Sequence, residues 1–251
     1  MRTRYALEIA YKGTQFHGWQ LQPNCNSVQA EMQKALSLLC REEVHCLGCG
    51  RTDAGVHAKQ FILHFEINGE LPENIVYKLN HLLTRDISTY HLYNVSPNFS
   101  ARFDCTERSY EYHIHQKPNP FLTEYSWYFF KPLDLELMNK AAEKLLLHKD
   151  FKAFCKANSQ VNHYECDVRQ AVWTQEGDRL LFKITANRFL RNMVRAIVGT
   201  LVEIGEGKIT LDDFEQTIIS QDRRESGQSA PPQGLFLARV VYPPGTFEPF
   251  E

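Results

Sequence analysis

No apolar run in the 251-residue chain approaches the roughly 20 residues that a membrane-spanning helix needs. The opening stretch, MRTRYALEIAYKG, alternates apolar and polar residues and lacks the continuous apolar core of an export signal, so the cytoplasm is the expected location. Cysteine is scarce and irregular: the seven thiols are odd in number and have no repeating interval, which suits a reducing compartment better than a disulfide framework. Cys46 and Cys49 form a CxxC, but no second pair completes it. His163 and Cys166 lie far off as an unrelated HxxC, so zinc is not expected and the thiols read as packing residues. Excess positive charge is missing too, since 28 Lys and Arg face 30 Asp and Glu for a net charge of -2. That balance argues against a nucleic-acid partner unless the cations are segregated.

Two stretches supply such segregation. Arg188, Arg191 and Arg195 follow an i, i+3, i+7 spacing that would form one basic stripe on a helix, and Arg102 and Arg108 bracket a second basic segment. With 43% hydrophobic and 23% charged residues the composition is that of a globular chain, long enough for one large domain or two ordinary ones.

The periodicities alternate between strand and helix. Tyr5, Leu7, Ile9 and Tyr11 alternate with Ala6, Glu8 and Ala10 as a half-buried strand. Ser27 then reads as an N-cap, with Val28, Met32, Ala35, Leu36 and Leu39 on one helical face. Residues 61–67 read as a strand. Further on, Tyr110, Tyr112 and Ile114 share one strand face opposite Glu111, His113 and His115. Asp134 opens a helix whose apolar face runs through Leu135, Met138, Ala141, Ala142, Leu145 and Leu146. Residues 168–174 and 180–185 form a hairpin around Glu176, Gly177 and Asp178. Residues 189–203 are expected to be helical, Thr210 with Asp213 matches a capping box, and 235–242 reads as a last strand before a proline-rich tail. Strands and helices interleave without strict alternation, so the class is α+β. No internal repeat or low-complexity linker is visible, although Lys117, Pro118, Asn119 and Pro120 mark a sharp break.

The stretch richest in chemistry is Gly50 to Ala58, GRTDAGVHA, which sets Asp53 on a glycine-bounded turn two positions from Arg51. Spacing alone favours an ordinary Asx-type turn in which the aspartate serves only its own loop. A carboxylate used in a dehydrated pocket needs a cation nearby to stay ionised.

The string GRTDAG resembles the signature of the tRNA pseudouridine synthase A family, whose nucleophile is its aspartate. YKGTQFHGWQ, FSARF, ERSYEYHIH, FLRNMVRAIVG and PPQGLFLARVVYP match the same family in the same order, so the resemblance spans nearly the whole chain. It implies two ferredoxin-like (RRM-like) halves, residues 1–105 and 106–251, with sheets side by side and the active site in the cleft between them. It implies isomerisation of uridine to pseudouridine in the tRNA anticodon stem-loop, at tRNA positions 38 to 40, without cofactor or metal, by a homodimer. Asp53 would be the nucleophile or base and Arg195 its ionic partner. Tyr110 would stack on the flipped base, where aromatic stacking is worth roughly 1–3 kcal/mol. Arg51 would enter the space the nucleotide leaves, and Arg102 would contact phosphate.

Each role has an ordinary counterpart. Tyr110 and Tyr112 share a face, and only motif order favours Tyr110 as the stacking residue. The mixture Tyr11, Lys12, Phe16, His17, Trp19 and Gln20 suits an RNA-facing loop or the closed end of a core. Arg191 reads equally as an RNA contact or as a solvated charge. Cys49 stands where the family usually has a smaller residue, a change of little consequence for the turn. A competing reading is a non-catalytic tRNA-binding module of the same fold. A nucleoside hydrolase would typically want two carboxylates, and the signature provides one.

Overall fold

The computed structural model describes residues 2–157, 159 and 161–250. The chain is α+β and forms two compact units, one made of the residues up to Thr106 together with those from Leu237 onward, the other of Glu107–Phe236. A single division at 105/106, as read from sequence, falls beside the first of these crossings. The second crossing returns the C-terminal segment to the first unit.

The first unit begins with β1 (Arg2–Tyr11), α1 (Val28–Cys40), β2 (Cys46–Gly48), β3 (His57–Asn68), α2 (Ile75–Leu82) and β4 (Ile87–Asn94). β1 lies between β3 and β4, antiparallel to both, and β2 pairs antiparallel with β3 from Cys46 opposite Phe65 to Gly48 opposite Leu63. α1 starts where its cap predicts: the Ser27 side chain accepts from the Ala30 amide, and Val28, Met32, Ala35 and Leu36 are buried. Asn80 in α2 is tied to β4 in both directions, its side chain donating to Thr89 O at 2.8 Å and accepting from Thr89 N at 2.8 Å.

The second unit contains β5 (Glu107–His115), β6 (Trp127–Tyr128), α3 (Leu135–Lys144), β7 (Val168–Glu176), β8 (Arg179–Ala186), α4 (Met193–Gly205) and α5 (Leu211–Ser220). β8 is central, antiparallel to β5 and β7, and β6 runs parallel to β5. The β7–β8 hairpin turns at Gly177, whose φ of 61° is left-handed. Asp134 caps α3 through the Leu137 amide, and Thr210 with Asp213 forms the full capping box of α5. Asn139 in α3 repeats the device of Asn80, bonding both the N–H and the C=O of Trp173 in β7. Phe182, Trp173, Phe154, Phe214, Met138 and Ile197 fill this unit's interior. The remaining strands are β9 (Leu235–Val241), beside β3, and β10 (Glu248–Pro249), antiparallel to β4.

One sequence expectation is corrected here. The helix expected over 189–203 begins only at Met193, because Asn192 takes a left-handed conformation (φ 66°, ψ 0°) that no continuous right-handed helix accommodates. Arg188 and Arg191 therefore precede α4, and the i, i+3, i+7 stripe does not exist on a helix. Arg188 instead lies against the His163 ring, with Nη1 2.8 Å from Nε2. Arg191 is exposed and its carbonyl accepts from the Lys156 amide.

Candidate active-site loop

Between β2 and β3 the chain runs through the eight residues from Cys49 to Val56, in which exposed and buried positions are interleaved. Cys49 is fully buried and donates its amide to Ile62 O at 2.8 Å. Arg51 is exposed, Thr52 is buried, Asp53 is half-buried and Ala54 is exposed. The Val56 amide donates to Asp53 O at 3.1 Å, closing a four-residue turn in which Gly55 takes a φ of 79°. A type II turn requires that angle at its third position, which explains the glycine.

The segment from Tyr11 to Trp19 is the bed on which this loop lies. Trp19 donates its amide to Thr52 O at 3.3 Å, and Gly55 donates to Phe16 O at 3.2 Å. The Gly13 amide donates to His57 Nδ1 at 3.0 Å, and the hydroxyls of Tyr11 and Thr52 share a hydrogen bond of 2.9 Å. Two glycines permit the close approach. A β-carbon on Gly13 would stand 1.9 Å from Val56 O, and one on Gly18 would stand 2.2 Å from Thr52 O. Gly18 also has a φ of 85°, so both its conformation and its lack of side chain are used. Tyr11, Phe16 and Trp19 are buried, and the Trp19 ring lies 4.2 Å from that of Phe61. Of the two uses open to this stretch, the aromatics close the core, while His17 is exposed and Lys12 and Gln20 are half-buried.

In the second unit β5 buries Arg108, Tyr110, Tyr112 and Ile114 on one face. The two tyrosines differ. Tyr112 is wholly buried, donates its hydroxyl to Pro231 O at 2.8 Å, and is pushed well above the usual phenol range by burial, partly offset by the Arg195 charge. Tyr110 keeps 9% of its surface and meets the ring of Phe189 edge-on at 5.1 Å. Arg195 sits half-buried in the first turn of α4. Its Nε donates to Ala230 O at 2.7 Å, while its own carbonyl accepts from the Ala230 amide at 2.9 Å. The strap that makes these contacts is held in turn by Arg223, which donates to Ser226 Oγ, Ser226 O, Gly227 O and Ser229 Oγ. Asn192 also donates to Ser229 Oγ at 2.7 Å.

Arg102 is exposed, with its guanidinium 5.3 Å from the centre of the neighbouring Phe103 ring. Arg108, by contrast, is buried and donates to Asn187 O at 2.9 Å, so it does not belong to an exposed basic segment. Asp53, Arg51 and Arg102 belong to the first unit, Tyr110 and Arg195 to the second. Among the described residues no group of three or more His, Cys, Asp or Glu side chains is arranged to hold a metal ion. Burial pushes the Cys46 thiol up to about 12, as it does that of Cys166. Sequence reading did not find Thr52, the Phe189 partner of Tyr110 or the strap at 226–230. A hydroxyl inside a motif and a loop far along the chain carry no periodic signal.

Comparison with known proteins adds a second line of observation. The family model described as tRNA pseudouridine synthase matches residues 141–243. The tRNA pseudouridine synthase A of Bacteroides fragilis is 46% identical over 248 residues, which cover 98% of each chain. That of Porphyromonas gingivalis is 42% identical over 250 residues, covering 97% of this chain and 99% of the relative. That of Syntrophomonas wolfei is 39% identical over 244 residues, covering 96% and 98%.

Proposed function

Because the chain belongs to the tRNA pseudouridine synthase family, we propose that Asp53 is the carboxylate with which it isomerises uridine in the anticodon stem-loop of tRNA. The enzyme is an isomerase: the bond from ribose C1′ to uracil N1 breaks, the base turns, and C1′ bonds to C5. The hydrogen on C5 leaves to solvent and N1 gains one, so atoms balance without oxidant, reductant or group donor. A single carboxylate serves this reaction as a covalent nucleophile toward ribose or base, or as the base that removes a ribose proton.

The observation that carries this reading is the turn at Asp53. Its peptide neighbours are held by hydrogen bonds and its side chain stands half-open above a buried bed, which is the arrangement a preorganised catalytic group needs. Arg195, half-buried in the first turn of α4 and anchored through Nε, supplies the cation that a carboxylate in this reaction needs. Tyr110, which keeps 9% of its surface and lies perpendicular to the Phe189 ring, suits a stacking role better than the wholly enclosed Tyr112, whose hydroxyl is spent on Pro231 O. Arg51 and Arg102 are exposed, as contacts to a displaced nucleotide and to phosphate require. As proposed, the enzyme is a cytoplasmic homodimer that acts at tRNA positions 38 to 40. A ferredoxin-like topology for each unit is supported by strand order. β4-β1-β3-β2 with helices after the first and third strands is the split βαβ arrangement, and β5-β8-β7 with α3 and α4 supplies three strands of a second one.

The test uses unmodified tRNA carrying tritium at uridine C5. Release of tritium by the native chain, lost on Asp53→Asn while tRNA affinity stays within about tenfold, is the expected result. Preserved turnover in Asp53→Asn would remove Asp53 from the mechanism. Tight binding without release by the native chain would favour the non-catalytic tRNA-binding module.

A further inference from the structure

We propose that Tyr11 and Thr52 are a positioning pair that fixes the direction in which Asp53 points, an inference that rests on Asp53 being the working carboxylate. Both peptide groups flanking Asp53 are bonded through their carbonyls: Thr52 O accepts from the Trp19 amide and Asp53 O from the Val56 amide. Those bonds hold the backbone on either side of Asp53. The Tyr11 hydroxyl adds a further constraint, fixing the rotamer of Thr52, the residue beside Asp53, through the 2.9 Å bond to Thr52 Oγ1.

β1 delivers that hydroxyl through an irregularity in its pairing. Between Ile9 and Tyr11 the register with β3 shifts, so that Ile9 faces Phe61 while Tyr11 faces Ala58. Such a bulge re-aims a side chain, and here it brings the end of the strand under the loop. Tyr11 is 4% exposed and Thr52 8%, so the contact lies beneath the turn while the Asp53 side chain stands half-open above it.

Burial alone does not call for hydroxyls at these two positions. Replacing both members of a buried hydrogen bond by apolar groups of the same shape is nearly neutral for stability, whereas removing one strands the other. The double variant Tyr11→Phe with Thr52→Val is therefore the informative one. It is expected to unfold within a few degrees of the native chain, to bind tRNA with unchanged affinity, and to release tritium at least about tenfold more slowly in kcat, since small misplacements of a reacting group cost that much or more. Thr52→Ser, which keeps the hydroxyl, is expected to stay within about threefold of native, and Tyr11→Phe to be no more additive with Thr52→Val than the shared bond allows. Native turnover in the double variant, or Thr52→Ser as slow as Thr52→Val, would overturn the pair while leaving the role of Asp53 intact. Tritium release that survives Asp53→Asn, or no release by the native chain, overturns the reading beneath it and this inference with it.

Discussion

At the scale of single residues, the same side chain type serves different ends according to what its heavy atoms touch. His64 in β3 is 7% exposed and accepts the Ala101 amide at Nδ1, 3.1 Å away, which only an unprotonated ring nitrogen does. Burial, followed by the charge of Arg4, holds it below its ordinary value of 6.5, against the opposing pull of Glu66 and Asp104. Between its depressed folded value and 6.5 the unfolded chain therefore binds a proton that the folded chain does not. Stability contributed by His64 is complete above 6.5 and is lost as pH falls through the folded value. His64→Asn, which keeps an acceptor near Nδ1 and does not titrate, is expected to flatten the decline of stability between 6.5 and the depressed folded value. Urea unfolding at a series of pH values measures it. Some slope remains, because burial holds His115 down as well. An unchanged slope would mean that His64 does not titrate with folding. None of this was legible in the sequence, where His64 is one polar letter in an apolar strand. The turn that carries Asp53 was marked by its glycines and its motif, and Tyr11 by the alternation of its strand, but the burial of Thr52 was not legible. Arg108 misled for the converse reason: its charge reads as surface, while the fold turns the guanidinium inward to the Asn187 carbonyl.

Among elements, the helices with chemical end signals were readable at their starts, whereas α2 was missed and α4 misplaced at its start. Ser27, Asp134 and the Thr210 and Asp213 pair each open a helix where their side chains accept from backbone amides. α2 has neither signal: its N-cap, Asn74, is left-handed and makes no side-chain cap, and eight residues give little periodicity. β4 hides for another reason, since a register shift against β1 between Leu7 and Ile9 disturbs its alternation. β2, at three residues, is too short to alternate at all. α4 was recognised but started too early, because its apolar run continues across the left-handed Asn192. All but Arg195 and Glu203 of its thirteen residues are buried, so its packing dominates its propensity. Gly199 puts the two in opposition. Alanine is favoured over glycine in a helix interior by about 1 kcal/mol, yet a β-carbon there would stand 1.8 Å from Gln228 O, a backbone atom of the strap that holds Arg195. Overpacking of this kind typically costs about 1–3 kcal/mol and should win. Gly199→Ala is therefore expected to lower the urea midpoint without changing the slope of the transition, and to slow turnover by loosening Ala230. A variant as stable as the native chain would show that the strap gives way freely.

For the molecule as a whole, the decisive feature is that the first unit is made from two separated pieces of chain. A strand's own letters do not say which strand it joins, so no reading of residues 237–251 alone could assign them to the unit that begins the chain. The contacts within that unit show what they supply. The Tyr242 hydroxyl donates to Ala101 O at 2.5 Å, and its ring packs with Phe99 and Phe247 at 5.6 and 5.0 Å. Phe247 also meets Tyr93, Phe250 meets Tyr5, and the Phe250 amide donates to Leu92 O. Thr106 donates its amide to Val241 O, and the Val240 amide is taken by the Gln60 side chain. Tyr242 is 9% exposed, and burying such a ring stabilises by roughly 1.5–3 kcal/mol, with the half-buried Phe247 adding a part of that. Against a total stability on the order of 5–15 kcal/mol for a domain, losing these residues together with a strand removes a large share. A fragment of residues 1–105 is thus expected to show no cooperative thermal transition by circular dichroism. The same fragment joined through a short Gly/Ser linker to residues 237–251 is expected to regain one, because the added segment restores most of β9, with β10 and the ring cluster around Phe99. Cooperative folding of residues 1–105 alone would mean that β1, β3 and β4 with their two helices already hold enough core, and that the returning segment merely covers it.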